Sequence, residues 1–169
     1  KLSEVLEEAN IIYDMVAMDD GSLYLAAGPE AKLLKRDGDK VEMVLELKNE
    51  QVFCLDRTAD GKLLVGISGA NARLAVLEDG KLKDLVALKD ATYIWDTIVE
   101  GQVIYVATGI EGKLYRIDLA AKSDSQGPKV DELFDAAQTN LLCLGRDKQG
   151  RLFAGSDTDG LVYRFTLND

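Results

Sequence analysis

The sequence predicts an all-β fold of four similar units, and three observations carry that prediction. A lysine-led phrase returns four times, as Lys1-Leu-Ser-Glu-Val-Leu, Lys40-Val-Glu-Met-Val-Leu, Lys81-Leu-Lys-Asp-Leu-Val and Lys129-Val-Asp-Glu-Leu-Phe, at spacings of 39, 41 and 48 residues. Between the copies lie short apolar runs separated by Gly- and Asp-containing turns. No window carries the caps and 3.6-residue periodicity of a long helix. A period near 40 built of short strands is the signature of a β-propeller, each repeat being one blade of four antiparallel strands.

The second repeat shows the elements without insertion. Gln51 to Thr58 is an apolar-rich run, Ala59-Asp60-Gly61 turns the chain, and Lys62 to Ser68 returns as a second strand. Gly69-Ala-Asn71 leads into a third strand, Ala72 to Leu77, and Glu78-Asp79-Gly80 into a fourth, Lys81 to Leu88. The same order places the blades at about 11–47, 51–88, 91–136 and 138–169.

The second strands are Leu23 to Gly28, Leu63 to Gly69, Ile104 to Gly109 and Leu152 to Ser156. They are almost continuously apolar or small, which predicts strands covered on both faces and set near the propeller axis. The third strands centre on Lys32-Leu-Leu-Lys, Arg73-Leu-Ala-Val, Lys113-Leu-Tyr-Arg and Leu161-Val-Tyr-Arg. The lysine-led fourth strands carry more Glu and Asp, as suits an outer edge that must resist pairing with other sheets. The extra length of the third repeat lies in Ala120 to Pro128, a polar stretch predicted to be a solvated loop between third and fourth strands.

The final repeat has three strands, and residues 1–8 form a fourth strand with no blade before them. The expectation is velcro closure: residues 1–8 complete the blade at 138–169 by pairing with Leu161 to Leu167. Because propellers with blades of this size more often hold six to eight of them, the expected partner is a second copy of the chain. Strand exchange at the closing blade would then give an eight-bladed homodimer, the alternatives being a four-bladed monomer or part of a longer propeller.

Composition narrows function by exclusion. Thirty acidic residues against 20 basic ones give a net charge of -10, which opposes nucleic-acid and anionic-membrane partners, since phosphates need a basic footprint. No apolar run reaches the length of a spanning helix, and Glu4, Glu7 and Glu8 occupy the stretch where a secretion signal would be apolar. The chain starts at Lys1 rather than a methionine, so no compartment is assigned. There is no histidine, which removes the commonest general base and metal ligand. The two cysteines, in Val-Phe-Cys54-Leu and Leu-Leu-Cys143-Leu, occupy one repeat position two blades apart, too distant for a disulfide, and read as small core residues.

The segments Gly101-Gln-Val-Ile-Tyr-Val-Ala-Thr-Gly109 with Gly112-Lys-Leu-Tyr-Arg-Ile-Asp118, and Gly150-Arg-Leu-Phe-Ala-Gly155 with Gly160-Leu-Val-Tyr-Arg, resemble blades of a bacterial β-propeller group. That group includes quinone-type, NHL-like and sensor propellers. The resemblance implies the fold along the whole chain, but its members range from dehydrogenases to assembly scaffolds, so it implies no single activity. Quinone-type blades continue from the Asp into a Thr-Gly turn and a docking tryptophan, whereas Asp118 runs into Leu119-Ala-Ala-Lys122; no quinone, and no other cofactor, is implied. Trp95-Asp96 imitates the WD-repeat dipeptide but lies in a first strand and lacks that family's histidine. Asp157-Thr-Asp159-Gly160 lacks the later ligands of a calcium loop and reads as a turn, so no metal site is expected.

In a propeller the loops from fourth to first strands and from second to third strands share one face, where binding residues gather. On those loops and the strand ends beside them the candidate contact residues are Asn10, Asn49, Gln51, Asn71, Tyr93, Trp95, Gln138 and Asn140. The function expected is a non-catalytic scaffold or binding module for a protein, peptide or small molecule. The alternative is a metal-dependent hydrolase or lyase of the sugar-lactone propeller kind using channel carboxylates.

Overall fold

The structure is a computed structural model that describes residues 10–122 and 127–166. Among the described residues, fifteen strands form four antiparallel sheets. The first holds β1 (Ile11–Ala17), β2 (Leu23–Gly28), β3 (Ala31–Asp37) and β4 (Lys40–Leu47), in that spatial order. The second holds β5 (Gln51–Arg57), β6 (Leu63–Ser68), β7 (Arg73–Glu78) and β8 (Lys81–Ala87). The third holds β9 (Tyr93–Glu100), β10 (Val103–Gly109), β11 (Lys113–Lys122) and β12 (Pro128–Asp135), and the fourth β13 (Leu141–Arg146), β14 (Leu152–Ser156) and β15 (Val162–Phe165). Each sheet is a meander of neighbours in sequence, and we call the sheets blades 1 to 4.

Local chemistry closes the hairpins. The turn between first and second strands ends on a left-handed glycine in every blade: Gly21, Gly61, Gly101 and Gly150 have φ of 84°, 81°, 57° and 79°, a region open to glycine at little cost. In blade 2 the Thr58 hydroxyl donates to Asp60 at 2.6 Å and accepts the Lys62 amide at 3.0 Å. Asp147 accepts the Gln149 and Arg151 amides at the corresponding turn of blade 4.

The first strands line the axis. β1, β5, β9 and β13 pack side by side in that order, which corrects the expectation that the second strands lie there. The second strands are instead sandwiched between neighbouring blades, as β6 shows by being buried at every residue. Burial on both faces, rather than nearness to the axis, explains their continuous apolar runs. The third blade differs from expectation too: Ala120 to Lys122 belong to β11, and Lys122 pairs with Pro128, so both ends of the predicted loop are strand.

Between blades, apolar faces interlock. Blades 1 and 2 share a core around Leu33, Val52 and Val65, blades 2 and 3 one around Leu64, Leu74 and Ile104, and blades 3 and 4 one around Leu114, Leu141 and Leu152. A polar tie beside the axis reinforces two of the joints, between blades 1 and 2 and between blades 3 and 4. Asp14 accepts the amide of its own neighbour Met15 at 2.8 Å and that of Leu55 in the next blade at 2.7 Å. Asp96 repeats this with Thr97 at 2.8 Å and Leu144 at 2.7 Å. Burial pushes the Asp96 carboxyl above its usual range, against the pull of those two amide donors.

Blades 2 and 4 carry a cysteine at this position. Asp14 and Asp96 face Ala26 and Ala107 across the ladder, while Cys54 and Cys143 face Gly66 and Gly155. The glycines are needed because a Cβ there would press on the cysteine sulfur. Cys54 fills the joint with blade 3, its sulfur 3.9 Å from the Ile94 carbonyl, and burial pushes its thiol up. Cys143 is exposed, contrary to the expectation of a core residue, because nothing among the described residues covers that face of blade 4. Joints therefore alternate in kind: Asp with Ala in blades 1 and 3, Cys with Gly in blades 2 and 4.

The four blades form an arc. Among the described residues, blade 4 does not pack on blade 1 as the other neighbours pack on each other. Residues 1–8, and with them the expected velcro strand, lie outside the described residues.

The axial carboxylates lend themselves to direct measurement. Asp96→Ala leaves the Leu144 amide without its acceptor in a half-buried joint, and urea denaturation is expected to show a loss of about 1–3 kcal/mol. Asp14→Ala is expected to behave alike through Leu55. An unchanged denaturation midpoint in both would show that apolar packing alone holds the blades.

Candidate binding face

Every first strand carries one extra residue that has no partner in the ladder. Pairing skips from Ile12 to Asp14, from Val52 to Cys54, from Ile94 to Asp96 and from Leu141 to Cys143. The bulged residues are therefore Tyr13, Phe53, Trp95 and Leu142, one per blade. A bulge re-aims its side chain out of the sheet's alternation. Here it turns the side chains into a row that crosses from blade to blade. Tyr13 meets Phe53 edge-on at 4.9 Å between ring centres, and Phe53 stacks on Trp95 at 4.6 Å and 28°. Tyr93 joins the cluster at 5.2 Å from Trp95 and 6.0 Å from Phe53. Contacts of this kind contribute about 0.5–1.5 kcal/mol each beyond burial.

Two close approaches seat the row. A Cβ on Gly28 would strike the Tyr13 ring, and one on Gly109 would strike Asn140 and come within 2.7 Å of the Trp95 indole nitrogen. Glycine at these strand ends lets the aromatic side chains lie against the backbone. The Trp95 indole N–H donates to Asn140 Oδ1 at 2.9 Å, across the joint between blades 3 and 4. Asn140 in turn donates from Nδ2 to Asp157 at 2.6 Å, and its own amide donates to the other oxygen of Asp157 at 3.1 Å. These Asn140 hydrogen bonds hold the Asp157 carboxyl below its ordinary value of 3.8. Gln138 accepts from the Tyr163 hydroxyl and donates to Asp159 at 3.2 Å.

Of the residues singled out from sequence, Tyr93, Trp95, Gln138 and Asn140 fall into this cluster. Gln51 sits in the strand that carries Phe53, with its Oε1 buried and without a hydrogen-bond partner among the described residues. Asn49 and Asn71 are exposed turn residues, Asn49 with a left-handed φ of 61° and Asn71 lending its carbonyl to Arg73. Asn10 lies apart, beside Pro29 and Glu30 in a groove of about 450 Å³ on the outer face of blade 1. Tyr13, Phe53, Leu142, Asp157 and Asp159 were not among the candidates from sequence. The signal for two of them is present, because aligning the two Cys-Leu pairs places Phe53 and Leu142 at one repeat position.

No family model and no curated protein matches the chain. Solved structures do. Regucalcin from Agrobacterium tumefaciens, a calcium-binding protein, is 17% identical over 89% of this chain and 55% of its own, with a TM-score of 0.66. YCF48 bound to D1 peptide is 13% identical over 94% and 52%, with a TM-score of 0.69. Virginiamycin B lyase from Staphylococcus aureus, in complex with quinupristin, is 11% identical over 98% and 59%, with a TM-score of 0.66. The chain thus spans about half the length of these proteins.

The Asn140–Asp157 link has a pH signature that Trp95, the single tryptophan, can report. A carboxyl held below 3.8 stabilises its hydrogen bond above that value and loses it as pH falls through the lowered one. The acid step of Trp95 emission that Asp157→Asn removes is expected below about pH 4, apart from any step above it from the raised Asp96 carboxyl beside Trp95. An Asp157-dependent step centred well above pH 4, or an acid step below about pH 4 that survives Asp157→Asn, would refute the link. The strands, their order and the likeness to these structures together give the chain the β-propeller fold.

Proposed function

We propose that this propeller is a non-catalytic binding module whose contact surface is the aromatic row, with Asn140, Gln138, Asp157 and Asp159 beside it. The observation that carries the reading is that all four blades spend a β-bulge on presenting one large apolar side chain, three of them aromatic. A bulge interrupts ladder pairing; the repeated bulges of β4 and β8, at Val44 and Leu85, pack their side chains against inter-blade cores, whereas the side chains bulged from the first strands stand outside those cores, which supports their use in contact with a partner. The axial carboxylates support the same reading. Asp14 and Asp96 have their oxygens occupied by backbone amides of their own and the next blade, which makes them structural ties rather than groups facing a substrate.

The chemistry of the surface favours a cationic, partly apolar peptide. Aromatic faces attract Lys and Arg side chains, Asp157 and Asp159 add negative charge at the rim, and the chain's net charge of -10 steers cations toward it. YCF48, of similar fold, is a structure with a bound peptide. The hydrolase or lyase alternative draws on the lyase and on regucalcin among the similar folds.

Titration with extended peptides combining Lys or Arg with Leu or Phe is expected to change Trp95 emission saturably and to weaken as salt rises. Acidic peptides of the same length are expected to leave it unchanged. Calorimetry on Trp95→Ala should show affinity reduced at least about tenfold, the loss expected for a stacked aromatic contact worth more than about 1.4 kcal/mol. Wild-type affinity in Trp95→Ala would refute the aromatic row as the contact surface. A thermal midpoint raised by calcium, magnesium or zinc would favour the metal-dependent alternative, since an ion bound only to the folded state must stabilise it.

A further inference from the structure

The arc ends in two apolar faces that are the separated halves of a joint the chain already contains. On blade 1 the outer face holds Ile12, Leu23, Leu25 and Leu34. Ladder registers place these at the positions of Ile94, Ile104, Val106 and Tyr115, the face that blade 3 turns toward blade 2. On blade 4 the outer face holds Cys143 and Val162, which occupy the positions of Cys54 and Leu74, the face that blade 2 turns toward blade 3. Exposure shows what is missing. Cys54 and Leu74 are 2% and 0% exposed, whereas Cys143 is exposed and Val162 is 71% exposed. Around the blade 1 face, Met15 and Met43 are 59% and 57% exposed.

We propose that blade 4 of one chain docks on blade 1 of a second copy, rebuilding the joint between blades 2 and 3, so that two chains close one eight-bladed ring. The alternation of joints selects this pairing. A cysteine-type blade meets an aspartate-type blade at the internal joint, and blade 4 is cysteine-type while blade 1 is aspartate-type. Arg164 lies on the outer side of blade 4, and Glu30 and Glu42 rim the groove on blade 1, where they pair with Lys32 and Lys40 of their own blade. In the closed ring the Cys143 sulfur faces the Ile12 carbonyl of the second copy, as Cys54 faces Ile94. Leu142 then stands beside Tyr13 of the second copy, and the row of bulged side chains runs unbroken round the axis.

Light scattering on the 169-residue chain is expected to return twice the chain mass of 18.5 kDa. Cys143 should then resist a thiol reagent as Cys54 does. Val162→Asp on blade 4, and separately Met43→Asp on blade 1, should each return the single-chain mass and make Cys143 react, with the far-UV spectrum unchanged. The two substitutions act on opposite faces, so a folding failure in one leaves the other to report. A single-chain mass for the wild type overturns the proposal, as does a doubled mass with Cys143 freely reactive or one that survives both substitutions. An open series of larger assemblies overturns closure by two copies.

Discussion

A twisted four-stranded sheet with two apolar faces is stable only when both are covered, and every other feature of this chain follows from that constraint. Apolar burial contributes about 25 cal/mol per Å² removed from water, and an isolated blade would leave much of that area wet. Stacking blades removes the faces in pairs, and the stacking direction is set by where the strands are narrowest. Here that place is the axis, where β1, β5, β9 and β13 meet, small residues face one another across the ladder and carboxylates reach from blade to blade. The second strands are the most deeply covered because they lie mid-sheet with a blade on either side. Their composition follows from this position.

At the axial joints a single position has two solutions. An aspartate opposite alanine spans the gap by hydrogen-bonding the next blade's amide, while a cysteine opposite glycine fills it by volume, with the glycine making room for sulfur. Each is locally complete, yet they are not interchangeable. An aspartate opposite glycine would leave space unfilled beside a charge that burial already disfavours, as the raised Asp96 carboxyl shows. A cysteine opposite alanine would overlap the added carbon. Covariation of this kind between neighbouring strands makes the two-blade pair the unit of the structure, although the sequence period is one blade.

Much of the architecture was legible in the sequence because it is periodic. The turn residues and the lysine-led strands recur at intervals near 40, and strand order follows from them. What was not legible depends on contacts between blades. The place of the first strands at the axis, and the two fates of Cys54 and Cys143, are decided by which faces have neighbours, and neither cysteine's own segment differs enough to reveal it. The candidate site was half visible. Trp95, Tyr93, Gln138 and Asn140 were found because aromatics and amides near loops stand out. Tyr13 and Phe53 were hidden, because a residue at a bulge looks like ordinary strand until the ladder register shows that it pairs with nothing.

The bulge also separates holding the fold from meeting a partner. Residues on either side of it obey packing: Ile12, Val52, Ile94 and Leu141 before it are apolar, and Asp14, Cys54, Asp96 and Cys143 after it are confined to the two joint chemistries. The bulged residue itself belongs to neither face of its sheet, so it answers to no inter-blade core. It varies as Tyr, Phe, Trp and Leu while the positions beside it scarcely vary in kind. Such a position can change its side chain without disturbing the inter-blade cores, which is the property a recognition surface requires. Its restrictions lie elsewhere: Gly28 and Gly109 must stay bare for Tyr13 and Trp95 to lie flat, the rings meet across blades, and the Trp95 N–H holds Asn140 of blade 4. Blade 4 carries a smaller side chain, Leu142, and has Asp157 at the equivalent of those glycines, where it binds Asn140 instead. Affinity and stability are thereby assigned to adjacent residues of one strand.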